Sequence, residues 1–366
     1  MKKILITGGH VTPALAVIEE LRRSAWEIIY IGRIHALEGD ENESVEHRLI
    51  SEAGVKFIPI TTGRLQRSMT INGIISLLKI PLGFLMALAI LAREKPTVVL
   101  SFGGYVALPV AIAAALFNVG VVTHEQTHSS GLANRIIAKL ARFVCLGWPD
   151  MNHTMPAAKV VMTGNPVRLA VFQVHRQLDV VCDKPVLYIT GGSLGSHSIN
   201  QLFMNCLPEL TRDFTVIHQC GRSAFNDFQK LVRIKEMLPA GQKKRYLPVE
   251  FVDDEYIGWV YKTADLVVSR AGANTLTEII ALQKPALFIP LPWSGAREQE
   301  KNAQFLVERG AALSIKQNVV TGQMLLTLIY QLYQERKTIK QQLKNLAHFV
   351  IMDSARKIVA VVESVR

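Results

Sequence analysis

The chain has few of the features that mark secreted or metal-binding proteins. Its 366 residues include only four cysteines, with no Cys-x-x-Cys pair and no metal-ligand spacing. Such cysteines are typical of reduced core thiols in a cytosolic protein. The N-terminus passes from Lys2 and Lys3 directly into a predicted strand, without the apolar region of a signal peptide. We therefore expect no export.

Long hydrophobic runs are also missing. Within residues 71–93 the only interior charge is Lys79, and the longest uncharged stretch is about 13 residues, whereas a membrane span needs roughly 20. After Pro81 the pattern is typical of a buried crossover helix. Before it, Arg64, Arg67 and Lys79 accompany apolar side chains, which favours a segment lying on an anionic membrane surface. The predicted membrane residues are Ile74, Ile75, Leu78 and Lys79.

Acidic residues are fewer than basic ones: the chain has 30 Asp and Glu residues and 41 Lys and Arg residues. The excess predicts an anionic partner: nucleic acid, a phosphorylated ligand or an acidic membrane. The basic residues do not cluster with aromatic ones, except at residues 242–246, which we interpret as a solvated loop, so nucleic acid is not expected. With 49% hydrophobic and 19% charged residues, the chain is globular and long enough for two domains.

The sequence does contain a regular alternation of short apolar strands with helical patterns, and it has no tandem repeat and no low-complexity tract. Two successive series of βαβ units predict an α/β fold with two doubly wound parallel sheets. The first series has strands at residues 3–6, 27–31, 56–60, 97–101, 120–124 and 142–146. The second has strands at residues 185–190, 214–219, 249–252, 265–269 and 285–290.

The informative loops all follow strands, where doubly wound sheets collect their ligands. They are TGGHVTP (7–13), SFGGY (101–105), HEQT (124–127), TGGSLGS (190–196) and SRAGANTLTE (269–278). Neither glycine turn is a G-x-G-x-x-G fingerprint or a P-loop with its lysine. Glycine nevertheless lets backbone N–H groups approach a phosphate closely. One such turn in each domain predicts a site between the domains for two diphosphate-bearing substrates.

His10 lies in the first of these loops. Two positions later Thr12 is the predicted N-cap of a helix, with Pro13 at its first position. The positive end of a helix dipole disfavours imidazolium, so we expect a neutral ring near pH 7. A loop histidine is often only a turn or capping residue, but a neutral imidazole in a cleft is a competent general base. Because two phosphate turns accompany it, we favour the catalytic interpretation.

The ordered motifs resemble the family of the peptidoglycan enzyme MurG over nearly the whole length. They are GGHVTPALAV, FGGYV, HEQ, GLANR, TGNPVR, GGSLG, VEFVDD, SRAGANTLTE and KPALFIPLP, followed by Gln299 and Asn302. The resemblance implies a GT-B fold of two Rossmann-like domains that face an inter-domain cleft. With the linker near residues 162–168, the predicted domains are 1–163, joined by a returning C-terminal helix at 353–366, and 164–352.

The resemblance also implies an activity. The chain would transfer N-acetylglucosamine, with inversion, from UDP-GlcNAc to the C4 hydroxyl of the muramyl sugar of lipid I, the undecaprenyl-pyrophosphoryl-muramyl-pentapeptide. The product would be lipid II, made at the cytoplasmic face of the membrane by a peripheral protein. The resemblance implies no cofactor. The sequence also has no Asp-x-Asp motif that could bind a metal ion, because Asp253 and Asp254 are adjacent. Arg168 and helix N-termini would stabilise the departing UDP.

Individual roles follow from the same resemblance. His10 would be the base, and Glu125 is a second catalytic candidate. The acceptor-binding residues would be Gly8, Gly9, His10, Tyr105, His124 and Glu125. The donor-binding residues would be Thr7, Gly8, Gly9, Thr127, Arg168, Ser193, Val252, Ala273, Asn274, Thr275, Leu276, Glu278 and Gln299. Among them, Glu278 would hold the two ribose hydroxyls, which suit a bidentate carboxylate.

Some alternatives stay open. Glu125 could instead cap the following helix, and Tyr105 could be an ordinary core aromatic. The first loop lacks part of the family's GGTGGH-like run, and the family's HEQN reads HEQT, with Thr127 in place of the amide. A UDP-GlcNAc epimerase, a transferase for another lipid acceptor, and a non-catalytic membrane-associated binder of nucleotide sugars are therefore alternative functions.

Overall fold

The chain forms two compact units. The computed structural model describes residues 2–35, 43–63, 71–127, 130–149, 154–192, 195–222 and 225–365. The first unit runs to Arg168 and takes in the chain from Ile351 onward, and the second is Leu169–Val350. The sequence-based limits, after residues 163 and 352, differ from these by a few residues. Arg168, predicted to bind the donor from the second domain, packs with the first unit.

Within the described residues, the first unit is built on a parallel sheet of seven strands in the order β3-β2-β1-β4-β5-β6-β7. The strands are β1 (Lys2–Thr7), β2 (Trp26–Gly32), β3 (Lys56–Pro59), β4 (Val98–Ser101), β5 (Gly120–Glu125), β6 (Phe143–Leu146) and β7 (Val160–Met162). Its helices up to the linker are α1 (Val11–Leu21), α2 (Val45–Glu52), α3 (Ile71–Glu94), α4 (Ala107–Leu116) and α5 (Leu132–Leu140), with a short 3-10 helix at Ala157–Lys159.

The second unit, as far as it is described, has a six-stranded parallel sheet in the order β10-β9-β8-β11-β12-β13. Its strands are β8 (Val186–Thr190), β9 (Thr215–Gln219), β10 (Tyr246–Val249), β11 (Leu266–Ser269), β12 (Ala286–Phe288) and β13 (Leu313–Ser314). Its helices are α6 (His197–Met204), α7 (Leu207–Asp213), α8 (Asp227–Met237), α9 (Ala240–Lys243), α10 (Asp254–Thr263), α11 (Ala273–Leu282), α12 (Glu298–Val307) and α13 (Gly322–Asn345), with 3-10 helices at Leu169–Phe172, Gly295–Arg297 and Ala347–Phe349.

Helices cover both faces of the first sheet. Strands such as β4 are therefore buried on both sides and read as continuous apolar runs. The last helix, α14 (Ser354–Ser364), packs against α1 in the first unit, as the resemblance implies. The carboxyl ends of all strands in a sheet then lie along one edge, where the loops of interest begin.

Three details of the sequence-based prediction are wrong. The strand predicted at 249–252 lies at Tyr246–Val249, because Pro248 is tolerated in the edge strand β10 and the Val252 N–H binds a side chain instead of a neighbouring strand. Helix α1 begins at Val11 with His10 as its N-cap, so Thr12 lies inside the helix. The short outer strands β7 and β13 were not predicted, since two or three residues carry too little periodicity.

Helix α3 continues through Pro81 and is only half buried. Ala87, Ile90 and Leu91 face the core, whereas Leu82 and Leu85 are exposed, so the predicted buried helix has an apolar outer face. The side chains of residues 71–78, including the predicted membrane residues Ile74, Ile75 and Leu78, lie outside the described part. Across the ranges described above, the structure contains no helix whose length and apolarity would suffice for a membrane span.

Candidate functional site

Two loops of the first unit meet around Phe102. The Gly9 N–H donates to the Gly103 carbonyl at 3.2 Å, and the Phe102 N–H donates to the Thr7 carbonyl at 2.7 Å. This approach requires glycine at position 8, where φ is +142° and a Cβ would lie 2.8 Å from the Phe102 carbonyl carbon. TGGH and SFGGY are thus one structural assembly, which together with HEQT we call the first loop cluster (residues 7–10, 101–105 and 124–127).

The orientation of His10 is set by a backbone carbonyl. Although His10 is the N-cap of α1, its side chain makes no capping bond. Its Nδ1 lies 3.1 Å from the carbonyl oxygen of Phe102 instead. Because a carbonyl can only accept, Nδ1 carries the hydrogen, and the lone pair of the neutral ring is on Nε2. This is the tautomer in which Nε2 can take a proton from a substrate.

Glu125 is a buried carboxylate that ties loops together. Its Oε1 accepts from the N–H of Thr127 at 3.1 Å and from the Thr127 hydroxyl at 2.8 Å. Its Oε2 accepts from the Asn134 amide at 2.7 Å, and Asn134 in turn accepts from the Gly104 N–H at 3.1 Å. Burial raises the pKa of Glu125, and the bonds from Asn134 and Thr127 oppose that shift. This geometry suits a role in shaping the first loop cluster.

The other predicted acceptor residues differ in exposure. His124 is fully buried; it lies 2.9 Å from the Gly164 carbonyl through Nε2, and its ring packs on Phe102. Desolvation by burial lowers the pKa of His124 to about 4, so the ring is neutral. Tyr105 is half-buried, packs on the core and has the Arg33 guanidinium 5.2 Å from its ring centre. Thr7 and Gly8 are buried, Gly9 is exposed, and His10, Gly104 and Tyr105 are half-buried.

A second cluster of loops follows the strands of the second unit; we call it the second loop cluster (residues 190–192, 195–197, 219–222, 249–254, 269–278 and 289–299). In its glycine turn the Gly192 N–H donates to the Thr190 hydroxyl at 3.1 Å. Gly195 has φ +73°, and a Cβ there would meet the Cys220 carbonyl oxygen at 2.2 Å. Glycine is therefore needed for this turn to pass close to the next strand. Ser193 lies outside the described residues.

Arg270 bonds to two other loops of the second cluster and to Gln317, which follows β13, a role that the sequence alone did not reveal. Its guanidinium is buried and donates to the Ser196 hydroxyl at 2.7 Å, to the Gln317 side chain at 2.6 Å and to the Ile289 carbonyl at 2.9 Å. Desolvation lowers the pKa of Arg270 to about 10, so the group stays charged at neutral pH. Its position directly after β11 is the signal that could have identified it.

Helix α11 begins beside Arg270. Its N-cap, Gly272, makes no side-chain capping bond, so the positive end of the helix dipole lies at this loop. One and a half turns further on, Glu278 is buried and accepts from the Tyr261 hydroxyl at 2.8 Å. The helix thus combines an anion-binding end with a carboxylate on the same element.

Val252 and Gln299 are anchored within the second loop cluster. The Val252 N–H donates to the side-chain oxygen of Gln219 at 3.1 Å, and Gln299 accepts from the Leu291 N–H at 3.0 Å. The predicted donor residues therefore fall into two groups. Thr7, Gly8, Gly9, Thr127 and Arg168 belong to the first unit. Val252, Ala273, Asn274, Thr275, Leu276, Glu278 and Gln299 belong to the second. In the described ranges, no group of three or more His, Cys, Asp or Glu side chains could hold a metal ion.

Comparison with known families covers both units. Residues 7–145 match the glycosyltransferase family 28 N-terminal domain, and residues 186–358 match the glycosyltransferase family 28 C-terminal domain. Two Rossmann-like parallel-sheet domains in tandem are the GT-B architecture, so the predicted fold class is confirmed.

Curated relatives and solved structures agree with this result. The chain is 35% identical over 346 residues to a protein of Clostridium botulinum (strain Langeland), named UDP-N-acetylglucosamine--N-acetylmuramyl-(pentapeptide) pyrophosphoryl-undecaprenol N-acetylglucosamine transferase, with 92% of each chain covered. The protein of that name from Lachnoclostridium phytofermentans is 33% identical, with 100% of this chain and 99% of the relative covered. The crystal structure of Acinetobacter baumannii MurG superposes with a TM-score of 0.71 at 25% identity, covering 99% of both chains. The chain therefore belongs to the MurG family of N-acetylglucosamine transferases.

Proposed function

We propose that the chain transfers N-acetylglucosamine from UDP-GlcNAc to the C4 hydroxyl of the muramyl sugar of lipid I, with inversion, and so makes lipid II for peptidoglycan synthesis. The observation that carries the proposal is the full-length similarity to relatives named for this transfer. The Nδ1–H···O=C bond of His10 supports it, because it leaves Nε2 as the basic atom.

The reaction needs a base and a stabilised leaving group. His10 Nε2 accepts the proton of the acceptor hydroxyl while that oxygen bonds to the anomeric carbon and UDP departs with the electrons of the broken bond. The N-terminus of α11 and the fixed charge of Arg270 stabilise the diphosphate that leaves. Arg168 is proposed to assist from the first unit. Glu125 shapes the acceptor loops through Thr127 and Asn134.

Donor recognition is proposed for the second loop cluster. Glu278 binds the ribose hydroxyls, and Tyr261 holds the carboxylate in place. Since the Val252 N–H is already bound to Gln219, the Val252 carbonyl is the group that would accept from the uracil N3–H. Gln299 keeps its amide N–H₂ for the sugar hydroxyls, because its oxygen accepts from Leu291. Ser193, Ala273, Asn274, Thr275 and Leu276 are proposed to surround the diphosphate and nucleoside.

The acceptor carries an undecaprenyl chain, so we propose that the first unit docks peripherally on the cytoplasmic face of the membrane. Helix α4 packs against both α3 and α5. Together these helices expose Leu82, Leu85, Leu116, Phe117 and Leu132, with the exposed cations Arg135 and Lys139 on α5. Apolar side chains beside cations suit an anionic lipid surface. Ile74, Ile75, Leu78 and Lys79 are proposed to extend this membrane surface along α3.

One assay tests the activity. Purified protein is incubated with radiolabelled UDP-GlcNAc and a lipid I analogue, and the products are separated for lipid-linked disaccharide. We expect radiolabel in the lipid-linked disaccharide when the lipid I analogue is present. When the analogue is omitted, we expect no labelled disaccharide. Epimerised UDP-sugar formed without acceptor would indicate an epimerase instead. Donor binding without transfer to any lipid-linked acceptor would indicate a non-catalytic binder.

A further inference from the structure

Gln126 shares its hydrogen-bond acceptor with His10. Gln126 directly follows β5 and is completely buried. Its Nε2 lies 3.3 Å from the Phe102 carbonyl oxygen, the same atom that accepts from Nδ1 of His10 at 3.1 Å. Only the amide nitrogen can donate, so this contact fixes which way the Gln126 side chain faces. The two donors reach the carbonyl from different loops of the first cluster.

Two donors occupy the two lone pairs of the Phe102 carbonyl. The peptide is also held through the Phe102 N–H, which donates to Thr7, and through the neighbouring Gly103 carbonyl, which accepts from Gly9. The carbonyl that His10 needs is therefore fixed in direction by groups around it. Of these four contacts, the hydrogen bond from Gln126 alone comes from a side chain outside the His10 loop. A substitution at position 126 can therefore remove it without changing His10 or the glycine backbone.

We propose that Gln126 is a positioning residue for the transfer: through the Phe102 carbonyl it keeps His10 in the Nδ1–H tautomer, with Nε2 as the base. Without the amide donor, the Phe102 carbonyl loses one of its two partners, and its direction is held less tightly. The His10 ring then populates the Nε2–H tautomer, in which the atom that should accept the hydroxyl proton already carries one. The catalytic step rests on the proposed function, whereas the tautomer does not depend on it.

The first test reads the tautomer directly. Protein labelled with ¹⁵N-histidine is studied by long-range ¹H–¹⁵N correlation above pH 8, and the His10 signals are assigned from their absence in His10→Ala. We expect Nδ1–H in the wild type and a substantial Nε2–H population in Gln126→Leu. A wild-type ring protonated at Nε2 would overturn the proposal without any variant. An unchanged tautomer in a folded Gln126→Leu protein would do the same.

The second test reads catalysis. In Gln126→Leu we expect kcat to fall on the order of 10- to 100-fold, less than complete loss of a general base costs, while KM for UDP-GlcNAc changes less than twofold. Gln126→Asn, which keeps an amide but shortens it, should recover only part of the rate. Unchanged kcat would contradict the proposal. A wild-type protein that makes no lipid-linked product would refute the proposed function, and the tautomer measurement would still decide the positioning.

The second unit offers a matched control. Gln219 is another buried glutamine at the end of a strand, and its Nε2 donates to the Gly192 carbonyl at 3.0 Å. Gln219→Leu makes the same chemical change in the other unit. We expect it to raise KM for UDP-GlcNAc and to leave the His10 tautomer unchanged. A tautomer shift in Gln219→Leu as large as in Gln126→Leu would mean general destabilisation and would overturn the positioning role.

Discussion

The two units use the same pair of residue types at the end of a strand in different ways. In the first, buried His124 and Gln126 flank the end of β5; in the second, buried His218 and Gln219 end β9. Among the described residues the Gln219 side chain makes three bonds: it donates to Gly192, and its oxygen accepts from the Tyr188 hydroxyl and the Val252 N–H. Gln126 makes one bond among the described residues, to the Phe102 carbonyl.

This difference supports the proposal that the second loop cluster binds the donor and that the first carries the reacting group. In the second loop cluster, side chains such as Gln219 and Arg270 fix the backbone from several sides, as suits the recognition of a nucleotide by preformed groups. In the first, glycine backbone contacts and a single carbonyl orient one titratable ring. Substitutions in the first cluster should therefore alter rate, and substitutions in the second should alter affinity.

The largest effect on turnover is expected when His10, the proposed base, is replaced. His10→Ala removes the proposed proton acceptor, so turnover should fall by roughly 10²-fold or more, while donor affinity stays close to that of the wild type. Steady-state kinetics with saturating lipid I analogue, together with calorimetric UDP titration, measure both quantities. A turnover within a few-fold of the wild type would remove His10 from the mechanism.

The next largest effect is expected on UDP affinity, when Glu278, the proposed ribose-binding residue, is replaced. Glu278→Ala should weaken UDP binding by about 1.5 to 3 kcal/mol, the range for hydrogen bonds to a charged group. The same substitution should weaken binding of 2′,3′-dideoxy-UDP far less, since that ligand lacks both hydroxyls. Calorimetry with the two ligands makes the comparison. Equal losses for both would show that Glu278 acts on something other than the ribose.

A smaller effect is expected for the proposed membrane surface of the first unit. Leu82→Glu together with Leu85→Glu adds charge to the exposed face of α3. Burying one leucine is worth about 1.5 to 3 kcal/mol, so partial insertion of two should give at least a tenfold loss of binding to anionic vesicles. Sedimentation measures it, and transfer to a short-chain soluble acceptor should persist.

Met237→Glu is the control, because Met237 is more exposed than Leu82 and Leu85 but lies on α8 of the second unit. It should sediment with vesicles like the wild type. Equal loss in both variants would argue against docking by the first unit, and so would normal binding of the α3 variant.

The last effect is expected in acid stability, where the two units should behave alike. Burial lowers the pKa of His124 to about 4 and that of His218 to about 3, whereas both titrate near 6.5 when unfolded. The unfolded chain therefore binds more protons below pH 6.5. Each histidine should lower the free energy of unfolding by at most about 1.4 kcal/mol per pH unit, down to about pH 4 for His124 and pH 3 for His218.

Urea unfolding at pH 7, 6 and 5 tests this dependence. The wild type should lose stability over that interval, and His124→Phe should reduce the slope, since it removes one of the two groups. A slope that is the same in the variant would mean that His124 does not remain neutral in the folded state.

Much of the fold could be predicted from the sequence, because buried parallel strands are continuous apolar runs that periodicity detects. Sequence periodicity could not predict β13, because that strand has only two residues. The start of α1 was predicted in the wrong place, because the sequence does not fix the N-cap to within one or two residues. The loops of the site were also predictable from their place after strands. Their internal bonds were not: the Phe102 carbonyl and Arg270 act through contacts between distant segments, which no local pattern encodes.

The proposal that the two units have separate roles is tested most directly by the transfer rates of His10→Ala and Glu278→Ala, measured at increasing concentrations of UDP-GlcNAc. If the first cluster activates the acceptor and the second binds the donor, Glu278→Ala should approach the wild-type rate once UDP-GlcNAc saturates it. His10→Ala should stay at least about 10²-fold slow at every donor concentration. Recovery of His10→Ala at high donor, or a persistent rate defect of that size in saturated Glu278→Ala, would contradict the account.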